Sequence, residues 1–107
     1  MVEIRDVAAL GLKVAKIKEV SDHPNADRLY VLKVDLGGEE RQLVAGLKQA
    51  YPEPRDLVGK LIVVVTNLKP AVLRGVESQG MLLAAAGDDN ICILSPECEV
   101  NPGSEVR

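Results

Sequence analysis

Two short apolar runs with polar sequence between them set the terms for this chain. Leu61-Ile62-Val63-Val64-Val65-Thr66 is mostly β-branched, and Met81-Leu82-Leu83-Ala84-Ala85-Ala86 matches it in length. β-Branched side chains are stiff at χ1 and pack well on a pleated surface, so the first run predicts a strand buried on both faces. Runs of about six residues bounded by polar sequence suit strands, whereas a membrane-spanning helix needs about 20 apolar residues. The stretch from Asn67 to Ala84 joins and overlaps the two runs. Pro70, Gly75 and Gly80 punctuate it, and Lys69 and Arg74 charge it. The sequence predicts a long polar loop here, the kind of connection that carries binding side chains on a fixed frame.

The remaining elements follow from the same patterning. From Leu29 to Leu36, Tyr30, Leu32, Val34 and Leu36 share one face of a strand and Val31, Lys33 and Asp35 the other. Gly37-Gly38-Glu39-Glu40 predicts a hairpin turn, since glycine reaches positive φ without steric cost. Arg41–Gly46 follows as a third strand with Leu43 buried. Upstream, Val14–Val20 reads as a strand whose imperfect alternation implies a bulge or strong bend. Residues 21–27 form a loop of turn formers. Residues 47–51 and 52–58 read as a helical turn and a short helix ended by Gly59. Met81–Ala86 is the fifth strand. After the turn Gly87-Asp88-Asp89-Asn90, Ile91–Leu94 reads as a sixth. Residues 1–11 suit either a helical turn or part of an edge strand.

Three strands, a short helix and two strands is the order of an OB-fold, a mainly all-β, five-stranded barrel with its helix between strands three and four. The 107 residues suffice for one such domain. Its barrel is expected over about residues 12–86, with a C-terminal strand extension over about 87–107. Phenylalanine and tryptophan are absent, so the core is aliphatic.

Several functions are disfavoured. Cys92 and Cys98 lie six positions apart, which fits neither a redox nor a zinc pair, and His23 is the lone histidine. No Ser/His/Asp constellation and no phosphate-cradling glycine motif stands out. The expectation is a binding protein, not an enzyme, with no cofactor and no metal. The N-terminus lacks a secretory apolar segment, so a cytoplasmic, non-membrane protein is expected. Met1 and the short N-terminus favour a separate protein over a segment of a larger one.

The formal net charge is −3, but the charges are unevenly spread. Between Arg41 and Gly75, six basic residues stand against two acidic ones. From Met81 onward, one basic residue stands against five acidic. Single-strand binding by such barrels relies on aromatic platforms, and only Tyr30 and Tyr51 are available, the first expected to point inward. Reading a folded RNA by shape, phosphates and 2′-hydroxyls needs cations and hydrogen-bond donors instead. Asn67, Lys69, Arg74, Ser78 and Gln79 supply these within one stretch, and Lys33 and Lys48 extend the surface. Met81 reads either as core or as an exposed soft contact.

The string Asn67-Leu68-Lys69-Pro70, followed by Leu73-Arg74-Gly75-Val76-Glu77-Ser78-Gln79-Gly80-Met81-Leu82-Leu83, resembles the tRNA-binding domain family. That family includes the C-terminal appendage of many methionyl-tRNA synthetases, small free-standing tRNA-binding proteins and the endothelial monocyte-activating polypeptide domain. His23-Pro24-Asn25-Ala26-Asp27-Arg28-Leu29 with Val31–Asp35 and Gly37, and Leu57-Val58-Gly59-Lys60, match in the same order, together covering about residues 12–86. The resemblance implies this barrel, and a non-catalytic role holding tRNA largely without sequence preference. It implicates Asn67, Lys69, Ser78 and Met81 in RNA contact, with Arg74 between them, and so turns Met81 outward. It also implies a homodimer built outside the barrel, from residues 87–107 with 1–10 as a second candidate, and a synthetase as a possible partner. Val44-Ala45-Gly46 departs from the serine that many members carry before the glycine, which puts a hydrogen bond there in doubt. A related secretion chaperone, which shares the barrel without the Asn-Leu-Lys-Pro string, is the alternative, alongside a protein-interaction adaptor.

Overall fold

The computed structural model describes residues 1–107. A short helix α1 (Ile4–Ala8) precedes β1 (Leu12–Asp22), β2 (Tyr30–Asp35) and β3 (Glu40–Ala45). A single 3-10 turn over Pro54–Asp56 leads into β4 (Leu61–Val65). Five shorter strands follow: β5 (Ala71–Leu73), β6 (Val76–Ser78), β7 (Met81–Leu82), β8 (Ala84–Ala86) and β9 (Ile91–Ile93). The main sheet has the order β3-β2-β1-β4-β7, with antiparallel neighbours throughout. It curls into the nearly closed barrel that the strand order predicts.

β1 makes the curl possible. Its first half pairs with β4, Leu12 opposite Val65 through Lys16 opposite Leu61. Its second half pairs with β2, and the register slips between Ile17 and Glu19. A bulge at that point inserts an extra residue, bends the strand and increases its twist, so one strand can serve two walls. The inward residues form one core. Ile17, Tyr30, Leu32, Val34, Leu43, Leu57, Ile62 and Val64 have no accessible surface. The alternation in β2 predicted Tyr30, Leu32 and Val34 among them. The Tyr30 hydroxyl stays satisfied by donating to the Tyr51 carbonyl at 2.7 Å, and burial raises the pKa of its phenol.

Three expectations need correction. The long polar loop contains a hairpin, because Val72, Leu73 and Val76 supply strand residues around the two-residue turn Arg74-Gly75, and Leu73 pairs with Val76. The short helix over 52–58 shrinks to the 3-10 turn. Pro52 and Pro54 lack N–H donors and Gly59 stops the segment, so few residues remain to propagate a helix. The fifth strand divides at Leu83, whose amide donates to Val63 O at 3.0 Å, and β8 leaves the barrel to pair with β9. Of the two readings open for residues 1–11, the helical turn is the one adopted, and Asp6 Oδ2 accepts from the Glu3 amide at 2.8 Å.

The C-terminal segment is tied to the barrel at two places. The Ile93 amide donates to Tyr51 Oη at 3.0 Å. Further on, the tail runs antiparallel along β1, with Val14 N donating to Ser104 O at 2.8 Å and Val106 N to Leu12 O at 2.9 Å.

Candidate nucleic-acid interface

The candidate residues lie on the β5–β6 hairpin, on the loop that leads to it and along the seam that closes the barrel. The loop starts at Asn67, whose amide and side-chain Nδ2 donate to Leu10 O at 3.1 Å and Ala9 O at 2.6 Å. These bonds fix the loop to the end of α1 and occupy the carboxamide donor that sequence reasoning had offered to RNA. Lys69 follows on exposed backbone with no ion-pair partner.

Arg74 occupies the apex of the hairpin. It is the one non-glycine residue with positive φ, 54°, and Gly75 beside it has φ 91°. Consecutive positive φ values match the twist of a two-residue hairpin, where Asn-Gly is the favoured pair. The guanidinium is exposed and unpaired. The backbone beneath it is held from across the chain: His23 Nε2 lies 2.8 Å from Leu73 O, and Asn25 Nδ2 donates to Arg74 O at 3.2 Å.

The seam between β3 and β6 is closed largely by side chains. Ser78 is buried; its Oγ accepts from the Val44 amide at 3.0 Å and donates to Gly80 O at 2.8 Å. Gln79 Oε1 accepts from the Gln42 amide at 3.0 Å, and the Gln79 amide donates to Gln42 O at 2.8 Å. Gln42 Nε2 in turn donates to Glu77 O at 2.8 Å, and its Oε1 accepts from Lys33 Nζ at 2.9 Å. Arg41 clamps the end of the seam, donating to Thr66 O at 2.7 Å and Gln79 O at 3.2 Å. Gly80 has to be small, since a Cβ there would sit 2.8 Å from the Val65 carbonyl.

Five of the expected residues therefore have internal partners: Asn67, Lys33, Gln79, the buried Ser78 and Lys48. Lys48 pairs with Asp22 at 3.1 Å beside the β1–β2 loop. Met81 is half-buried on β7, outside the core cluster to which its neighbour Leu82 belongs. Sequence reasoning missed His23, Asn25, Arg41 and Gln42. The His23-Pro24-Asn25 string was visible, but its contacts lie about 50 positions away in sequence. Ala45, which stands where the resemblance expects a serine, offers no side-chain bond, and the neighbouring Val44 amide donates to Ser78 Oγ.

An arginine-tipped hairpin thus lies beside a barrel seam closed by side chains. Residues 12–105 match the family described as "Putative tRNA binding domain". The chain belongs to the tRNA-binding domain family. It is 57% identical over 106 residues to the methionine–tRNA ligase of Pyrococcus horikoshii, covering 99% of this chain and 14% of that enzyme. The chain thus spans about one seventh of the length of that curated relative. Among solved structures, a MetRS-related protein from Pyrococcus horikoshii superposes with a TM-score of 0.92 at 34% identity, covering 100% of this chain and 98% of that one. The chaperone CsaA from Bacillus anthracis superposes at 0.89 with 25% identity, covering 100% and 99%. The family is a non-catalytic binding domain. No helix is long and apolar enough to cross a membrane, and no three His, Cys, Asp or Glu side chains gather as a metal site.

Proposed function

We propose that this tRNA-binding domain holds structured tRNA against the β5–β6 hairpin and the loop before it. Shape and phosphate contacts supply the affinity, largely without sequence preference, in the service of an aminoacyl-tRNA synthetase. The observation that carries this reading is the pair of exposed, unpaired cations, Lys69 and Arg74, on backbone anchored at Asn67 and at the hairpin apex. Gln79, Met81 and Lys33 flank them along the seam, Lys48 adds charge beside the β1–β2 loop, and buried Ser78 shapes the seam from within. The scarcity of exposed aromatics fits a ligand read by its fold more than by stacked bases.

Filter binding of tRNA at low and physiological salt tests it. Lys69→Ala and Arg74→Ala should each weaken binding and lower the salt slope by roughly 0.7 to 0.9, while stability changes by no more than about 0.5 kcal/mol. Poly-dT should compete poorly. Variants that bind tRNA like the parent at both salts would remove the hairpin from the site and advance a chaperone or adaptor role, which the likeness to chaperone CsaA then favours.

The domain is further proposed to form a homodimer through the extension over residues 87–107 together with α1. Ile91 and Leu94 are about 40% exposed on β9 and just after it, and Val2 and Ile4 are about 80% exposed around α1. Ile91→Lys with Leu94→Lys should sediment as a monomer. A dimer that survives both this pair and Ile4→Lys would place the interface elsewhere.

A further inference from the structure

His23 and Ser78 are the two polar side chains in the buried set. Ser78 closes the seam, but nothing in the barrel itself requires a histidine at position 23. Its hydrogen bonds define its chemical form. The Asn25 amide donates to Nδ1 at 2.9 Å, so Nδ1 presents a lone pair. Nε2 therefore carries the hydrogen and donates to Leu73 O at 2.8 Å. Asn25 reaches the next carbonyl, that of Arg74, at 3.2 Å. Two successive carbonyls at the hairpin apex are thus held by two side chains of the β1–β2 loop.

What they hold is unfavourable for the residue in place. A left-handed backbone crowds the Cβ of an L-residue, and asparagine or glycine would suit this turn position better than arginine. Such conformations persist where surroundings over-determine them, and they cluster at functional sites. Here the surroundings are His23 and Asn25, and the strained residue carries an exposed, unpaired guanidinium.

We propose that His23 and Asn25 are positioning residues for RNA binding: by clamping the Leu73 and Arg74 carbonyls they fix the left-handed apex and aim Arg74 at an RNA phosphate. The proposal rests on the reading that the hairpin meets tRNA. Arginine gains from this aim more than lysine would, because its planar fork engages a phosphate through two parallel hydrogen bonds only in the right orientation. A fixed apex also loses less freedom on binding.

The test uses tRNA filter binding with the full chain at two salt concentrations, for Asn25→Ala, His23→Asn, His23→Gln, Arg74→Ala and the first two combined with Arg74→Ala. Glutamine can place an amide nitrogen where Nε2 stands and keep the bond to Leu73. Asparagine can replace only the Nδ1 acceptor. Asn25 is exposed, so its alanine variant folds whatever the fate of the His23 variants. Expected are a several-fold loss for Asn25→Ala and His23→Asn, retention for His23→Gln, and no added loss when either is combined with Arg74→Ala. The salt slope of His23→Asn should fall toward that of Arg74→Ala, by up to roughly 0.9. If Arg74→Ala weakens binding while Asn25→Ala and His23→Asn bind like the parent, the positioning role is overturned and the interface stands. Losses of equal size with and without Arg74 also overturn it, since they report a general structural effect. If Arg74→Ala binds like the parent, the interface reading and this proposal fall together.

Discussion

The molecule carries two hairpins of equal strand length outside its five-stranded sheet, and they are held differently. The β5–β6 hairpin ends in Arg74-Gly75 and is gripped at its apex by His23 and Asn25 as well as at its base by the β3–β6 seam. The β8–β9 hairpin ends in Gly87-Asp88-Asp89-Asn90, an exposed acidic tip, and is gripped at its base. There Ile93 donates to Tyr51 Oη, and Leu94 donates to Leu83 O at 3.0 Å. A hairpin fixed at the base can present its strands while its tip moves. One fixed at the tip as well holds a particular side chain in place. The arginine-tipped hairpin is built to aim and the acidic one to present a face, which suits the proposed division between RNA contact and assembly.

The largest expected effect strikes the acidic hairpin's anchor. Tyr30 donates to the Tyr51 carbonyl, and Tyr51 Oη in turn accepts from Ile93. Burial holds the Tyr30 pKa above its ordinary 10.0. The neutral phenol is the form that folding favours, so its contribution is complete below about pH 10 and is lost as the pH rises through the raised folded value. Urea unfolding across that range should show stability falling at alkaline pH, and Tyr30→Phe should remove this dependence. An unchanged alkaline loss in Tyr30→Phe would place the titrating group elsewhere.

A milder pair of changes weighs the two attachments against each other. Ser78→Ala strands the buried Val44 amide and should cost about 1 to 3 kcal/mol, whereas Tyr51→Phe removes one half-buried bond and should cost about 1 kcal/mol. Should Tyr51→Phe prove the costlier in denaturant melts, the acidic hairpin is the more firmly held and the comparison reverses.

The smallest effect sharpens the view of the basic apex. Arg74→Gly relieves the left-handed strain that Arg74→Ala retains, so the glycine variant should be the more stable of the two by about 1 kcal/mol. Both should lose tRNA affinity alike, because both lack the guanidinium. Equal melting temperatures would mean the apex is not strained.

The barrel was legible because its signals are local. β-Branched runs, the alternation through Tyr30, Leu32 and Val34, and the Gly37-Gly38 turn each declare themselves within a few residues. The irregular spacing of Val14–Val20 likewise announced the bulge at Ile17. The β5–β6 hairpin was missed because its turn is Arg-Gly, not Asn-Gly, and its strands have three residues each. Lys69 and Arg74 were legible as exposed cations in a polar stretch. The partners of Ser78, Gln79 and Asn67 were not, because Val44, Gln42 and Ala9 lie 34 to 58 positions away, on elements whose approach only the closed barrel determines. A side chain's residue type tells what it can bond, and the topology decides whether protein or ligand reaches it first.

The tail alongside β1 has a mechanical consequence. Val106 sits opposite Leu12, and Ser104 opposite Val14, so the two segments lie antiparallel with their outer ends together. Tension applied through chain leading away from both ends would load these bonds one after another, as in unzipping, and not all at once in shear. The domain would yield to pulling at low force by peeling its last strand-like segment, while β1 stayed paired to β4 and the barrel behind it remained shut.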